Sequence, residues 1–411
     1  MSAGAHGLRD KYAIAGVGET PYVKGAGRTT RSMAVEALRR AIDDAGLQPS
    51  DVDGLMSYQS NDSVLSSTVS GDLGLRLNYF ADVYGGGTSI ETLIGVATGV
   101  IEAGMCSTVA IFRSMNGYSG LRMSGSGAAP AAPMTGEALH SHVYGWQNPA
   151  QRYAPAFVRH MHDFGTTSAQ AAAVRAIHSE HASNNPKALY RQRVSVDHVL
   201  ASRPICTPLR LLDCCVETDS AAAVIVTGAA RARDCRHHPV LIRAVVGRVS
   251  KPRLDMHFQS GPIALAAGRF GSDRLWAHAG VAPHEIDVTG AYDAFTFTTL
   301  MQFEAFGFCA PGAGGTYVSD GTIRLGGKRP NNTSGGQLCE GYTHGINLVI
   351  ENVRQLRHDV DDSCALGAEG RRMHTHDYRE GGCRQVIAPQ LAANLGWGGP
   401  QTASAIVLRR E

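Results

Sequence analysis

A-G-L-Q-P-S-D-V-D, Ala45 to Asp53, is echoed by A-G-V-A-P-H-E-I-D, Ala279 to Asp287. Each copy follows a segment with helical spacing and leads into an apolar run. Before the first copy, Val35, Leu38, Ile42 and Ala45 share one side of a helix over Met33 to Ala45, Gly46 ends it, and a strand covers Asp53 to Ser57. At the second copy, Arg274 to Gly280 closes a helix and Ile286 to Gly290 is the strand. One helix–Gly–x–Pro joint is common and carries little. The longer agreement, at equivalent places in two halves, favours a duplicated α/β domain.

Length agrees, because 411 residues are too many for one ordinary core. The expected domains are 1–240 and 241–411, the first with an inserted loop and helical region at about 116–205. Outside the repeat, Tyr12 to Gly18, Val109 to Arg113, Ala221 to Gly228 and Val240 to Val246 read as strands. Phe80 to Gly104 reads as strand, glycine turn and long helix beginning near Thr88 or Ser89. Phe295 to Phe306 and Gly345 to Leu356 read as helices, and Gln385 to Arg409 as two strands joined by Gly396 to Pro400. This alternation implies α/β layers. The inserted region differs: Gly120 to Pro133 is loop text, and Pro149 to Phe164 and Ser168 to Ser183 are helical, with Pro155 expected near the first turn.

Composition excludes several classes. Hydrophobic residues make up 43% and charged residues 18%, with a net charge of +2 spread along the chain. That is no nucleic-acid footprint and no patch for an anionic membrane. No apolar run approaches the roughly 18 residues of a membrane helix, and Met1 to Asp10 lacks a signal-peptide core, so the expectation is a cytoplasmic protein. Nine cysteines without a C-x-x-C pair argue against a disulfide framework and a zinc ribbon, and reduced thiols are expected. His237-His238 and His374 to His376 lie in polar text and read as solvated surface, so no metal site is expected.

Two C-terminal stretches stand out: G-A-Y-D-A-F-T-F, Gly290 to Phe297, and N-T-S-G-G-Q-L-C-E-G-Y-T-H-G, Asn332 to Gly345. Each sets one tyrosine, Tyr292 or Tyr342, among small residues. Taken alone, such a tyrosine is more often a packed aromatic than a functional group.

Together these features resemble the thiolase superfamily over essentially the whole chain. A-I-A-G-V-G-E-T-P-Y, Ala13 to Tyr22, is similar to its opening strand, and the doubled motif to its duplicated domains. Q-S-G-P-I-A-L-A, Gln259 to Ala266, resembles the loop laid beside the pantetheine arm of coenzyme A, which implies Ser260, Gly261 and Pro262 as contacts. The implied fold is a duplicated α/β structure layered α-β-α-β-α. The catalytic positions depart from the family. Gly87 stands at the nucleophilic cysteine, Tyr342 replaces the histidine of G-H-P, Tyr292 replaces the asparagine of N-E-A-F, and N-L-G-W-G-G has no cysteine. This set resembles the thiolase-like, lipid-transfer-protein-type aldolases of steroid side-chain degradation, which share Y-D-x-F-T, G-F-C, the long N-T-x-G-G-Q-L-x-E-G-Y-x-H-G stretch and V-R-Q-L-R, here Val353 to Arg357. Cys339 stands where serine is usual, Pro311-Gly312-Ala313 lacks an acid, and Ser220 follows Asp219 where glycine is usual.

The resemblance implies retro-aldol cleavage of a 3-hydroxyacyl-CoA, with a steroid or bile-acid side chain, to a ketone or aldehyde plus propionyl-CoA or acetyl-CoA. Glycine at 87 cannot hold an acyl group. Two proton carriers are needed, with Tyr292 assigned as base on the hydroxyl and Tyr342 as acid on the acyl-CoA carbon; the sequence leaves the reverse order open. Backbone N–H groups of Gly86, Gly87 and Thr88 are placed for oxyanion stabilisation, and His344 either to donate to the same oxygen or to orient Tyr342. Coenzyme A enters only as part of the thioester, with no covalently bound cofactor. The implied partners are a second copy of the chain and a separate OB-fold, zinc-ribbon protein or hydratase. Two other readings remain: an acyltransferase with an unusual nucleophile such as Cys339, and a non-catalytic acyl-CoA or lipid-binding scaffold.

Overall fold

A computed structural model describes residues 7–59, 62–120, 139, 143–146, 148–251, 265–360 and 383–411. The strands are β1 Tyr12–Glu19, β2 Gly54–Gln59, β3 Tyr79–Tyr84, β4 Thr108–Asn116, the short β5 Pro204–Cys206 and β6 Leu209–Arg210, β7 Asp219–Gly228, β8 Val240–Ser250, β9 Val288–Ala291, β10 Leu391–Gly398 and β11 Thr402–Arg410. The helices of eight residues or more are α1 Thr30–Ala45, α2 Ser66–Leu73, α3 Ser89–Glu102, α4 Pro149–Phe164, α5 Ser168–Ser183, α6 Arg269–Ala279, α7 Thr296–Ala305 and α8 Ile346–Arg357.

Nine strands form one sheet in the order β3-β2-β4-β7-β1-β8-β11-β10-β9. The two halves join at β1 and β8, and outward from that seam the pairings repeat. β1–β7 and β8–β11 are antiparallel, β7–β4 and β11–β10 are antiparallel, and β4–β2 and β10–β9 are parallel. β3 then adds a parallel edge strand to β2. Its counterpart beside β9 is only a parallel bridge between Thr289 and Asn331.

The repeated motif has a physical reason at each turn. Gly46 and Gly280 end α1 and α6 in the left-handed region, at φ 73° and 64°. Asp51 and Glu285 accept from the backbone N–H of Gln48 and Ala282 at 2.8 and 2.7 Å. Asp53 accepts from Ser107 and Thr108 N–H at the start of β4, each at 2.9 Å, and Asp287 from Gln390 and Leu391 N–H at the start of β10, at 2.8 and 2.9 Å. Each copy therefore stops a helix, turns the chain and ties it to the neighbouring parallel strand.

Ile90, Leu93, Ile94 and Ala97 of α3 and Ile346, Val349, Ile350 and Val353 of α8 share one buried cluster with strands of both halves, including Ile111, Val224, Ile242, Ala392 and Ile406. α1 covers the other face of the first half through Met33, Ala37, Leu38 and Ile42, and α6 packs on β8 and β11. This gives helix, sheet, helix, sheet, helix layers, with α3 and α8 in the middle. Strands covered on both faces read as continuous apolar runs, as Ala221 to Val226 does.

Some expectations need correction. Pro155 is the seventh residue of α4 and lies in its second turn. β10 runs on through Gly398, so the hairpin turn is Gly399 to Gln401. Most of the expected loop at Gly120 to Pro133 lies outside the described residues. Cys106, Cys206, Cys214, Cys215, Cys235, Cys309 and Cys339 are free, but Cys383 is disulfide-bonded, because chain proximity in space, not spacing in sequence, decides pairing. Among the described residues no helix is long and apolar enough to cross a membrane, and no group of three or more His, Cys, Asp or Glu is placed to hold a metal.

Candidate active site

The duplication brings two equivalent helix starts together. In one half β3 ends at Tyr84, and Gly85 to Thr88 turn into α3. In the other the bridge at Asn331 is followed by Asn332 to Gly345 and then α8. His344 and Gly345 both take positive φ, at 51° and 87°, to aim α8 inward. The residues read as sites in the second stretch therefore meet those read at the glycine turn.

Tyr292 follows β9. Its N–H donates to Leu395 O at 2.9 Å, and its carbonyl accepts from Gln302 Nε2 and Thr298 Oγ1 at 2.8 and 2.9 Å. Tyr342 is held by Thr218, whose Oγ1 accepts from its N–H at 3.0 Å and donates to its carbonyl at 3.1 Å. Ser220 Oγ lies 3.4 Å from the same carbonyl, so the residue that departs from glycine touches this site. The two phenol oxygens are 2.8 Å apart, and the rings meet edge to face at 70°. Both side chains are 4% exposed, which leaves the pair shielded from bulk water. Burial raises both phenols well above their usual value near 10.

His344 packs against Tyr342, with ring centroids 4.9 Å apart. Its Nδ1 accepts from Arg113 Nε at 3.0 Å, and Arg113 Nη2 is paired with both oxygens of Asp62 at 2.7 and 2.6 Å. Burial first, and the Arg113 charge second, push the imidazole down to about 3. The histidine is therefore neutral at ordinary pH. A Cβ placed on Gly86 would lie 3.3 Å from His344 Nε2, so this nitrogen faces the glycine turn. Among the described residues no protein acceptor engages the N–H groups of Gly86, Gly87 or Thr88. Together these form a set of free donors beside the tyrosine pair.

At Gly87 a Cβ would stand 2.4 Å from Tyr292 Cζ and 2.3 Å from Trp397 O. The Tyr292 ring thus fills the space that a side chain at Gly87 would need. Cys339 offers no replacement: it is fully buried, burial pushes its thiol up to about 11, and it packs behind Gly335.

Asp293 follows Tyr292 in the chain and holds the second stretch in place. It accepts from the N–H groups of Gln337 and Leu338 at 2.9 and 3.3 Å and from His178 Nδ1 at 3.0 Å, while Asn331 Nδ2 lies 3.0 Å from His178 Nε2. It caps the short helix Gly336–Cys339 and so ties the Tyr292 segment to the Tyr342 segment and to α5. His237 is also not simply solvated, since its Nε2 meets Asp44 Oδ1 at 3.1 Å. Ser260, Gly261, Pro262 and His374 to His376 lie outside the described residues.

Arg113, Asp62 and Thr218 were not anticipated. Arg113 carried a signal, being an arginine inside the apolar run V-A-I-F-R, Val109 to Arg113. A charge in a buried strand needs a partner and a reason.

A duplicated layered fold with two hydrogen-bonded, buried tyrosines beside a glycine turn defines a thiolase-like protein. Comparison with known proteins agrees. Residues 255–370 match the family "Thiolase C-terminal domain-like". The chain is 38% identical to 17-hydroxy-3-oxo-4-pregnene-20-carboxyl-CoA lyase of Mycobacterium tuberculosis, over 85% of this chain and 92% of that one. It is 37% identical to the steroid side-chain-cleaving aldolase of Thermomonospora curvata, over 84% and 90%. The solved structure of an Ltp2-ChsH2(DUF35) aldolase superposes with a TM-score of 0.85 at 31% identity, covering 98% of each chain. The chain belongs to the thiolase superfamily, in the group that contains these steroid side-chain-cleaving aldolases.

Proposed function

We propose that this chain is a carbon–carbon lyase that cleaves a steroid 3-hydroxyacyl-CoA by a retro-aldol step. The carrying observation is the 2.8 Å contact between the Tyr292 and Tyr342 hydroxyls, with the Tyr292 ring against Gly87. The cleavage needs one proton removed from the substrate hydroxyl and one delivered to the enolate carbon. A bonded pair of phenols does both without net gain or loss, because the proton leaving oxygen equals the one arriving at carbon. Burial keeps both phenols protonated at rest, so removal of the hydroxyl proton is concerted with C–C cleavage. In this reading Tyr292 takes the hydroxyl proton as it passes its own to Tyr342, and Tyr342 delivers its proton to the enolate carbon. The donors of Gly86, Gly87, Thr88 and His344 hold the thioester oxygen as it becomes an enolate.

For a 17-hydroxy-pregnene-20-carboxyl thioester, the bond broken joins C17 and C20. The products are then a 17-ketone and propionyl-CoA, with no oxidant or reductant required. Ser260, Gly261 and Pro262 are proposed to lie along the coenzyme A arm. The division into 1–240 and 241–411 is supported by the repeated strand order on either side of the β1–β8 seam. A homodimer is supported by β3, an edge strand bearing Phe80 and Tyr84, 56% and 71% exposed. A DUF35-type protein is the proposed heteromeric partner, given the complex that the chain resembles. The setting is proposed as the cytoplasm.

The test is incubation of the purified chain, with and without a DUF35-type partner, with the 17-hydroxy-pregnene-20-carboxyl thioester. Formation of the 17-ketone and propionyl-CoA in equal amounts is expected. Recovery of intact thioester under all conditions, with the chain folded and partner bound, would overturn the reading.

A further inference from the structure

We infer that Arg113, braced by Asp62, is a positioning residue that fixes His344 in the tautomer bearing its proton on Nε2, so that His344 acts as a hydrogen-bond donor to the enolate oxygen and not as a base. The inference deepens the proposed aldolase reading and rests on it for the identity of the oxygen.

A guanidinium has donors and no acceptor. The 3.0 Å contact from Arg113 Nε to His344 Nδ1 therefore requires a lone pair on Nδ1, which leaves the proton of a neutral ring on Nε2. Arg113 has no freedom to release it. Its side chain is fully buried, Nη1 donates to Ser114 O at 2.8 Å, and Nη2 is held by both oxygens of Asp62. His344 is fixed in turn by its backbone, since its carbonyl accepts from the Tyr58 hydroxyl at 3.1 Å. The same guanidinium lies 5.7 Å from the Tyr58 ring centroid. Among the described residues no protein acceptor takes the Nε2–H, which faces Gly86 beside the unengaged N–H groups of the glycine turn. A buried neutral donor aimed at such a set has one chemical use, to bind an oxygen that gains charge. The Arg113 charge also opposes protonation of the ring, so the site remains a donor and never an acid.

The experiment is 15N NMR of histidine-labelled protein, with His344 assigned by difference from His344→Gln. The expected wild-type signature is an unprotonated Nδ1 and a protonated Nε2, unchanged from about pH 5.5 to 8. In Arg113→Met the signal should move toward a tautomer mixture that titrates. Turnover by Arg113→Met should fall by about 10- to 100-fold with KM changed less, and His344→Gln, whose amide can donate from the place of Nε2, should keep more activity than His344→Ala. A wild-type Nδ1–H tautomer, or His344→Gln no better than His344→Ala, overturns the inference. If Arg113→Met does not fold, the wild-type spectrum and the His344 pair still decide it. If no thioester is turned over but the tautomer is as stated, the aldolase reading fails and the tautomer lock stands.

Discussion

Tyr292 Cζ lies 2.4 Å from the point that a Cβ on Gly87 would occupy. One volume serves either a side chain at 87 or the phenol at 292. A side chain at 87 and the phenol at 292 therefore exclude one another. Gly87→Cys should not restore acyl transfer. It should lower the melting temperature, by a cost of about 1–3 kcal/mol for overpacking, and give no acyl adduct by intact mass after exposure to acyl-CoA. Adding Tyr292→Asn should relieve only part of the loss, because Trp397 O, at 2.3 Å, is backbone and remains. A stable acyl-enzyme in the single variant would contradict this account.

Glu91 on α3 is buried behind the glycine turn, where burial raises its carboxyl to about 7 despite the bond from Ser404 Oγ at 2.9 Å. Its folded value lies above the ordinary 4.5. The folded chain thus holds the proton more tightly, and stability falls as pH rises from about 4.5 through about 7. Glu340, raised to about 8, acts in the same sense, whereas His344 and His181, lowered to about 3, lose stability as pH falls below about 6.5. Glu91→Gln isolates one contribution. Its melting temperature relative to wild type should be more favourable at pH 8 than at pH 5, and an equal difference at both would remove Glu91 from the balance.

Much of this was legible in the sequence because it is written in local signals. The helix-stopping glycines, the acids that cap the turns and the apolar runs of α3 and α8 each follow from residues close in the chain. The tyrosine pair needed the duplicated frame, since Tyr292 and Tyr342 are fifty positions apart and meet only when two helix starts converge. Arg113, Asp62 and the Asp293 clamp were not legible. Their roles depend on contacts across 231, 51 and 44 positions, and no periodicity encodes which buried charge meets which backbone N–H.

Asp293 fixes the distance between the two tyrosine segments without reaching the pair. Asp293→Ala would leave the Gln337 and Leu338 N–H groups and His178 Nδ1 without their acceptor, at about 1–3 kcal/mol for each buried group. A clear fall in melting temperature and in kcat is expected. Asp293→Asn should be milder in stability, because an amide oxygen can still accept from one of them. Thermal melts and steady-state kinetics on both variants check this. Equal, wild-type kcat in the two would show that the clamp does not govern the pair.

The pair itself admits the sharpest test. Tyr292→Phe and Tyr342→Phe each remove one oxygen from a buried 2.8 Å contact and keep the ring that fills the site. Each should lower kcat by about 10²- to 10⁴-fold, the usual worth of a positioned acid or base. Melting temperatures should fall modestly, because each change leaves the partner phenol buried without its hydrogen-bond partner, at about 1–3 kcal/mol, while the ring still fills the site. If the phenols act in relay, the first removal already breaks the transfer. The double variant should then be about as slow as the slower single variant, and not slower by the product of the two factors. Multiplicative losses would mean that each tyrosine acts through its own contact with substrate, and the relay would be wrong even if both residues were catalytic.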